Sequence, residues 1–264
     1  MLPETLSPLE LFLLCLAALV AGSVDAIGGG GGLVTLPALL QARLETLLAL
    51  GTNKGQSVFG TAAAIVAFWR AGKIDRGRAL LVIPLSAAGA VLGAFIATWL
   101  EPEILKPVVL VLLVLSAAML ALSPQPGPRD PPSPRTARAI TAAIALVLGV
   151  YDGFFGPGAG TLLILAFATF LGTPLPLASA DAKVANIASS LAALVTFVAK
   201  GQVLWGVALP MAGAQLVGGV LGAQLVIRGG AKVVRVVVLV VIAALIMKLG
   251  WELVSGLVRP DAHR

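Results

Sequence analysis

Two lysines stand inside apolar segments where a lipid-embedded helix has no ordinary use for them. Lys54 closes the run Leu50-Gly51-Thr52-Asn53-Lys54, and Lys183 closes Asp181-Ala182-Lys183. An uncompensated lysine at the centre of a membrane helix costs roughly 2.5–3.5 kcal/mol on insertion scales, so two in matching places need a reason. One reason is binding: two ammonium groups facing a common cavity would hold a small anion as point charges. The other is structural, an ion pair with Asp25, Asp152 or Asp181, or a side chain reaching out to an interface. Thr52, Asn53, Gln56, Ser57 and Asn186 flank the lysines, either to donate to substrate oxygens or to bond between helices. Asp25 and Asp152 offer a coupling-ion or proton-relay group, a counter-ion for each lysine, or a local backbone cap.

Each aspartate is followed within a few residues by a glycine cluster: five consecutive glycines at Gly28–Gly32, and Gly156-Pro157-Gly158-Ala159-Gly160. Glycine lets the chain stop one helix and start another within a few residues. Irregular backbone survives at membrane depth only where protein or a water-filled cavity covers it. A helix that restarts there presents free N–H groups, which can hold an anion. Paired breaks of this kind, one per half of a membrane chain, point to a transporter binding site. Gly30, Gly31, Gly32, Gly158 and Gly160 are therefore candidate substrate-binding positions beside Thr52, Asn53, Lys54, Lys183 and Asn186, with Asp25 and Asp152 as coupling or counter-ion groups. The bland alternative for the glycines is close helix packing, which is the expected role of the GxxxG pairs Gly89/Gly93 and Gly218/Gly222. A dinucleotide-binding reading of the first cluster fails, because no strand precedes it. No HExxH, metal-ligand cluster or intramembrane Ser–His pair occurs, and the one histidine, His263, lies in the C-terminal tail, so neither an enzyme nor a metal or cofactor is expected.

These residues must be positioned by helices in lipid. Hydrophobic residues make up 59% of the chain and charged ones 11%, with mean hydropathy +1.03; a soluble domain averages about 25% charged. Apolar segments tile nearly all 264 residues, leaving no room for a soluble catalytic domain. Helices are predicted over 9–27, 46–69, 79–100, 104–122, 136–155, 179–200, 206–227 and 233–254, with short segments over 33–41 and 161–171 that either cross fully or are re-entrant. The N-terminus lacks a basic region, so the first helix is expected to remain. Cys15, the single cysteine, reads as packing.

The chain divides into a first transmembrane repeat over 1–122, a proline-rich linker over 123–135 and a second repeat over 136–264. Thr52-Asn53-Lys54 answers Asp181-Ala182-Lys183, Gly89-Ala90-Val91-Leu92-Gly93-Ala94 answers Gly218-Gly219-Val220-Leu221-Gly222-Ala223, and Val108–Val111 answers Val237–Val240 in constant register. The basic loop of each pair alternates. Residues 70–78 carry Arg70, Lys73, Arg76 and Arg78 where 200–206 carry Lys200 alone, whereas 228–235 are more basic than 100–106. By the positive-inside rule the halves are inverted and the linker is cytoplasmic. The net charge of +6 thus reads as orientation rather than nucleic-acid binding. Trp69, Trp99, Trp205 and Trp251 sit at helix ends, as interface anchors do. The fold class expected is an all-α polytopic membrane protein of two inverted repeats, each a Gly-broken helix pair followed by three transmembrane helices.

The glycine break ending in Leu36-Pro37, the Leu50–Lys54 run, and Gly156-Pro157-Gly158-x-Gly160 with Lys183 and Asn186 resemble the sulfite exporter TauE/SafE family over nearly the whole chain. The resemblance implies a multi-pass secondary carrier of the bacterial inner membrane, its members linked to export of sulfite or sulfoacetate and uptake of organosulfonates. The functional expectation is alternating-access transport of a small anion, coupled to a proton or sodium gradient, with homo-oligomerisation left open. A passive anion channel and a non-transport scaffold or partner subunit are the alternatives.

Overall fold

The computed structural model describes residues 6–122 and 132–228, and every element in them is helical. In chain order these are α1 (Pro8–Gly28), α2 (Gly32–Gln41), α3 (Thr46–Arg70), α4 (Arg76–Trp99), α5 (Pro102–Leu122), α6 (Pro134–Phe154), α7 (Ala159–Leu171), α8 (Leu175–Ala199) and α9 (Trp205–Arg228). The helix expected over 233–254, the Val237–Val240 match, Trp251 and most of the proline-rich linker lie outside the described residues. Among the described residues five helices, α1, α4, α6, α8 and α9, are long and apolar enough to cross a membrane.

Helix ends follow local chemistry. Ser7 and Glu10 form a capping box at the start of α1, Asp75 accepts from the N–H of Arg78 at α4, and Ser133 accepts from that of Thr136 at α6. These caps explain why α4 and α6 begin two or three residues before the apolar pattern does. Both glycine clusters break the helix where the sequence predicts. Gly29 ends α1 in the left-handed region (φ 76°), and Gly158, at φ 83°, starts α7. The chain then doubles back, since Gly31 lies against Ala21 and Asp25 of α1. With 10 and 13 residues, α2 and α7 are about 15 and 20 Å long, short of the roughly 30 Å hydrocarbon core.

The GxxxG pairs pack across the two halves, each against the first helix of the other. A Cβ on Gly93 of α4 would lie 2.0 Å from the Val150 carbonyl of α6, and one on Gly153 of α6 would lie 2.1 Å from that of Ala90. Gly218 and Gly222 of α9 meet Leu19 and Ser23 of α1 in the same manner, at 2.1 and 2.3 Å. Residue numbers rise together along both seams, so α4 runs parallel to α6, and α9 parallel to α1. Ser86 donates to the carbonyl of Ala145 (3.2 Å) and Ser23 to that of Gly218 (3.1 Å), tying the same two seams. Trp69, Trp99 and Trp205 are exposed at helix ends, and Arg76 stacks over Trp69.

Candidate functional site

The two breaks abut. Gly29 and Gly160 meet backbone to backbone: a Cβ on Gly29 would fall 2.2 Å from the Gly160 carbonyl carbon, and one on Gly160 would fall 2.6 Å from the Gly29 Cα. No residue but glycine fits that approach at either position, and at Gly29 the positive φ makes the same demand. Thr161 donates to the carbonyl of Gly28, so the start of α7 is tied to the end of α1. In the second break the Tyr151 hydroxyl donates to the Pro157 carbonyl (2.7 Å) and contacts the Ser116 hydroxyl. In the first, Thr35 donates to Asn53 Oδ1 (2.6 Å), which also accepts from Gln56 (3.0 Å).

Each lysine pairs with the aspartate of the other half. Lys54 of α3 lies 2.7 Å from Asp152 of α6, and Lys183 of α8 lies 2.7 Å from Asp25 of α1. All four groups are buried. A charge out of water requires a partner, and the halves supply each other's. The expected pairing with an internal carboxylate therefore exists, and it crosses between halves rather than joining Lys54 to Asp25.

The two carboxylates differ in what else they hold. Asp152 Oδ1 takes Lys54, while Oδ2 accepts from Asn186 (3.2 Å), Ser190 (3.3 Å) and Ser189. Asp25 Oδ2 accepts from Lys183 and, at 3.4 Å, from Thr61, while its Oδ1 has no partner among the described residues. Asp25 is 8% exposed against 1% for Asp152. Thr61 and Ser190 both follow their lysine by seven residues, so these two hydroxyls are repeat equivalents, but Ser189 answers Gly60 and has no counterpart.

A cavity of about 20 Å³ is lined by Asp25, Gly29, Gly32, Asn53, Lys54 and Ser57 of the first half together with Asp152, Gly156, Gly160, Asn186 and Ser190 of the second. That is room for about one water molecule. Lys54 reaches this cavity, whereas Lys183 stands behind Asp25 and does not line it. Thr52 points elsewhere: its hydroxyl accepts the N–H of Leu204 (3.0 Å), at the start of α9. Gly30, Gly31 and Gly158 shape the breaks without lining the cavity. The N–H groups of Gly30, Gly31, Gly160 and Thr161 donate to no described residue, whereas that of Leu33, just past Gly32, bonds to the Gly30 carbonyl at 3.1 Å.

A third buried carboxylate, Asp181, pairs with Arg78 of α4, whose guanidinium also bonds Thr173 (3.2 Å) and lies over Phe167. Tyr151, Thr61, Ser189 and Ser190 were not singled out from sequence. For Thr61 and Ser190 the signal is spacing: residues 57 and 61 follow Lys54, and 186 and 190 follow Lys183, by three and seven places, which keeps them on the lysine's helical face.

The Sulfite exporter TauE/SafE family profile matches residues 14–249. A probable membrane transporter protein, ORF9, of Sinorhizobium sp is 38% identical over 236 residues, covering 89% of this chain and 90% of its own. The probable membrane transporter protein YfcA of Escherichia coli K12 is 34% identical over 250 residues, covering 93% of this chain and 91% of its own. A probable membrane transporter protein of Haemophilus influenzae is 34% identical over 236 residues, covering 88% and 92%. No solved structure matches. With described residues that are helical and carry five apolar spans, and with relatives aligned nearly end to end, this multi-pass membrane chain belongs to the TauE/SafE sulfite exporter family of membrane transporters.

Proposed function

We propose that the chain is a secondary transporter of the bacterial inner membrane that moves a small anion, sulfite, an organosulfonate or a related sulfur oxyanion, by alternating access. The observation that carries this reading is the meeting of two broken helices and two reciprocal Lys–Asp pairs around one cavity. Lys54 uses one of its three ammonium donors on Asp152, leaving two for a ligand. The unbonded N–H groups at Gly160 and Thr161 stand at the start of α7, where a helix favours negative charge.

The contact register supports inverted halves. Contacts of α3 with α9 rise together, from Thr52 with Leu204 to Gly60 with Gln215, so these helices are parallel. Short connections at 200–204 and 71–75 make α8 antiparallel to α9, and α4 antiparallel to α3. It follows that α8 opposes its equivalent α3, and α6, parallel to α4, opposes its equivalent α1. Two halves of opposite sense exchanging first helices and counter-ions form the kind of pair that can rock about a shared site.

The tightness of the cavity favours a carrier over a channel. A space of about 20 Å³ is smaller than a sulfonate, as a carrier between its open states requires. In proteoliposomes, labelled sulfite, isethionate or sulfoacetate should show trans-stimulated counterflow, and Lys54→Ala should abolish it while the protein still elutes as a folded species. Flux of a folded Lys54→Ala protein equal to wild type would overturn the assignment of the site.

A further inference from the structure

We infer that Asp25 is the carrier of a co-transported proton, that Asp152 is a fixed counter-ion, and that the cargo is a monoanion moved with one proton. This rests on the transport reading above and adds the coupling ion, its place and the charge of the cargo.

Among the described residues, the formal charges around the cavity, Lys54 and Lys183 against Asp25 and Asp152, sum to zero. A monoanion brought into that buried site leaves one negative charge uncompensated, so a positive charge must arrive with it. The two carboxylates are not equally able to receive it. Both oxygens of Asp152 are occupied by donors from Lys54, Asn186, Ser189 and Ser190. Asp25 has one oxygen, Oδ1, that no described residue engages, and Asp25 lines the cavity. Among the described residues, the charged groups around it are Lys183 from α8, Lys54 from α3 and Asp152 from α6. From α2 it meets Gly31, and α9 brings the uncharged Gln215 beside Gly22.

The cation is a proton rather than a metal ion. A hard metal ion requires several oxygen ligands, and here the carboxylate already shares its other oxygen with an ammonium 2.7 Å away. A proton needs only the free lone pair of Oδ1. Once it binds, Asp25 is neutral and Lys183 is uncompensated, so the site gains the one positive charge that the anion balances. When the halves expose the opposite face, the proton leaves Oδ1, the anion leaves Lys54, and Asp25 pairs with Lys183 again. The complete cycle moves no net charge.

The test compares wild type, Asp25→Asn and Asp152→Asn in proteoliposomes, with isethionate as probe because its sulfonate stays a monoanion. Wild type should accumulate it about tenfold for each pH unit by which the external medium is more acidic than the lumen, without response to an imposed Na⁺ gradient or membrane potential. Asp25→Asn, an isostere of the protonated acid, should lose pH-driven accumulation, and whatever counterflow it retains should no longer respond to pH; Asp152→Asn should lose accumulation and counterflow together. Accumulation driven by Na⁺, pH-driven accumulation retained in Asp25→Asn, or the decoupled phenotype appearing in Asp152→Asn instead would overturn the inference. If no sulfonate, sulfite or sulfoacetate moves at all, it is the transport reading that fails. The proton site is then read directly by infrared difference spectroscopy on acidification: the carboxylic-acid band should vanish in Asp25→Asn and persist in Asp152→Asn. Should Asp25→Asn fail to fold, loss of that band in Asp152→Asn alone refutes the assignment.

Discussion

Removing one member of the Lys54–Asp152 pair is the most informative perturbation the site offers. Both side chains are almost wholly buried, 3% and 2% exposed, so solvent screening does little to soften the loss. Breaking a buried pair by removing one partner typically costs about 3–5 kcal/mol, because the survivor is left charged without its mate. Asp152 would keep Asn186, Ser189 and Ser190 as donors after Lys54→Met, which places the expected cost near the lower end, about 3 kcal/mol. Asp152→Asn leaves Lys54 charged and should cost a similar amount. The double variant leaves neither charge behind, so its loss should fall short of the summed single losses by about 0.5–3 kcal/mol. Stability is read from SDS titration of the purified protein, followed by tryptophan fluorescence, and flux from the same preparations in proteoliposomes. All three variants should be inactive, including the double, because Lys54 lines the cavity. Additive single losses would show that the 2.7 Å contact carries no coupling, and wild-type flux in the double variant would show that Lys54 serves packing alone.

Helix seams give a second set of expectations. Gly93→Ala and Gly222→Ala should each destabilise by about 1–3 kcal/mol in thermal unfolding, since the new methyl meets backbone at 2.0 and 2.3 Å. Gly213→Ala, on the same helix as Gly222 but with nothing within 4 Å of the new Cβ, should change stability by less than about 1 kcal/mol. Arg78→Gln strands the buried Asp181 carboxylate and should cost on the order of 2 kcal/mol, reduced because Arg78 is itself part-exposed; adding Asp181→Asn should recover most of that in the same melt. Tyr151→Phe removes the donor to the Pro157 carbonyl and should cost about 1 kcal/mol, with slower counterflow if that bond holds the second break in shape.

Much of this was legible before any coordinates. The positions of both breaks follow from glycine runs that no helix accommodates, and the helix ends follow to within about four residues from apolar length. The lysines and aspartates stand out because lipid makes ionisable groups expensive. Partner choice is different. Nothing local tells Lys54 to bond Asp152 rather than Asp25, because that depends on which helices cross between the halves. The same holds for the GxxxG pairs: the motif marks a close seam but not its occupant, and each seam turned out to join α4 or α9 to the first helix of the opposite half. Thr52, adjacent to Asn53 and Lys54 in sequence, faces α9 because a helix turns about 100° per residue. The inequality of Asp25 and Asp152 arises from Ser189 standing where the first half has Gly60 and Asn186 where it has Ser57, two differences that repeat matching passes over.

The cross-bonding of the halves has a consequence for biogenesis. When the first half leaves the ribosome, Lys54 lacks its native carboxylate until Asp152 is synthesised, nearly a hundred residues later, and Asp25 waits longer still for Lys183. A nascent chain holding an orphan ammonium in lipid pays roughly 2.5–3.5 kcal/mol in the interval. The insertion machinery must therefore shelter the early segments or admit them late, and a ribosome stalled between the halves would yield a fragment marked for disposal by its own unmatched charges. Split into two polypeptides, the halves should accumulate only when made together.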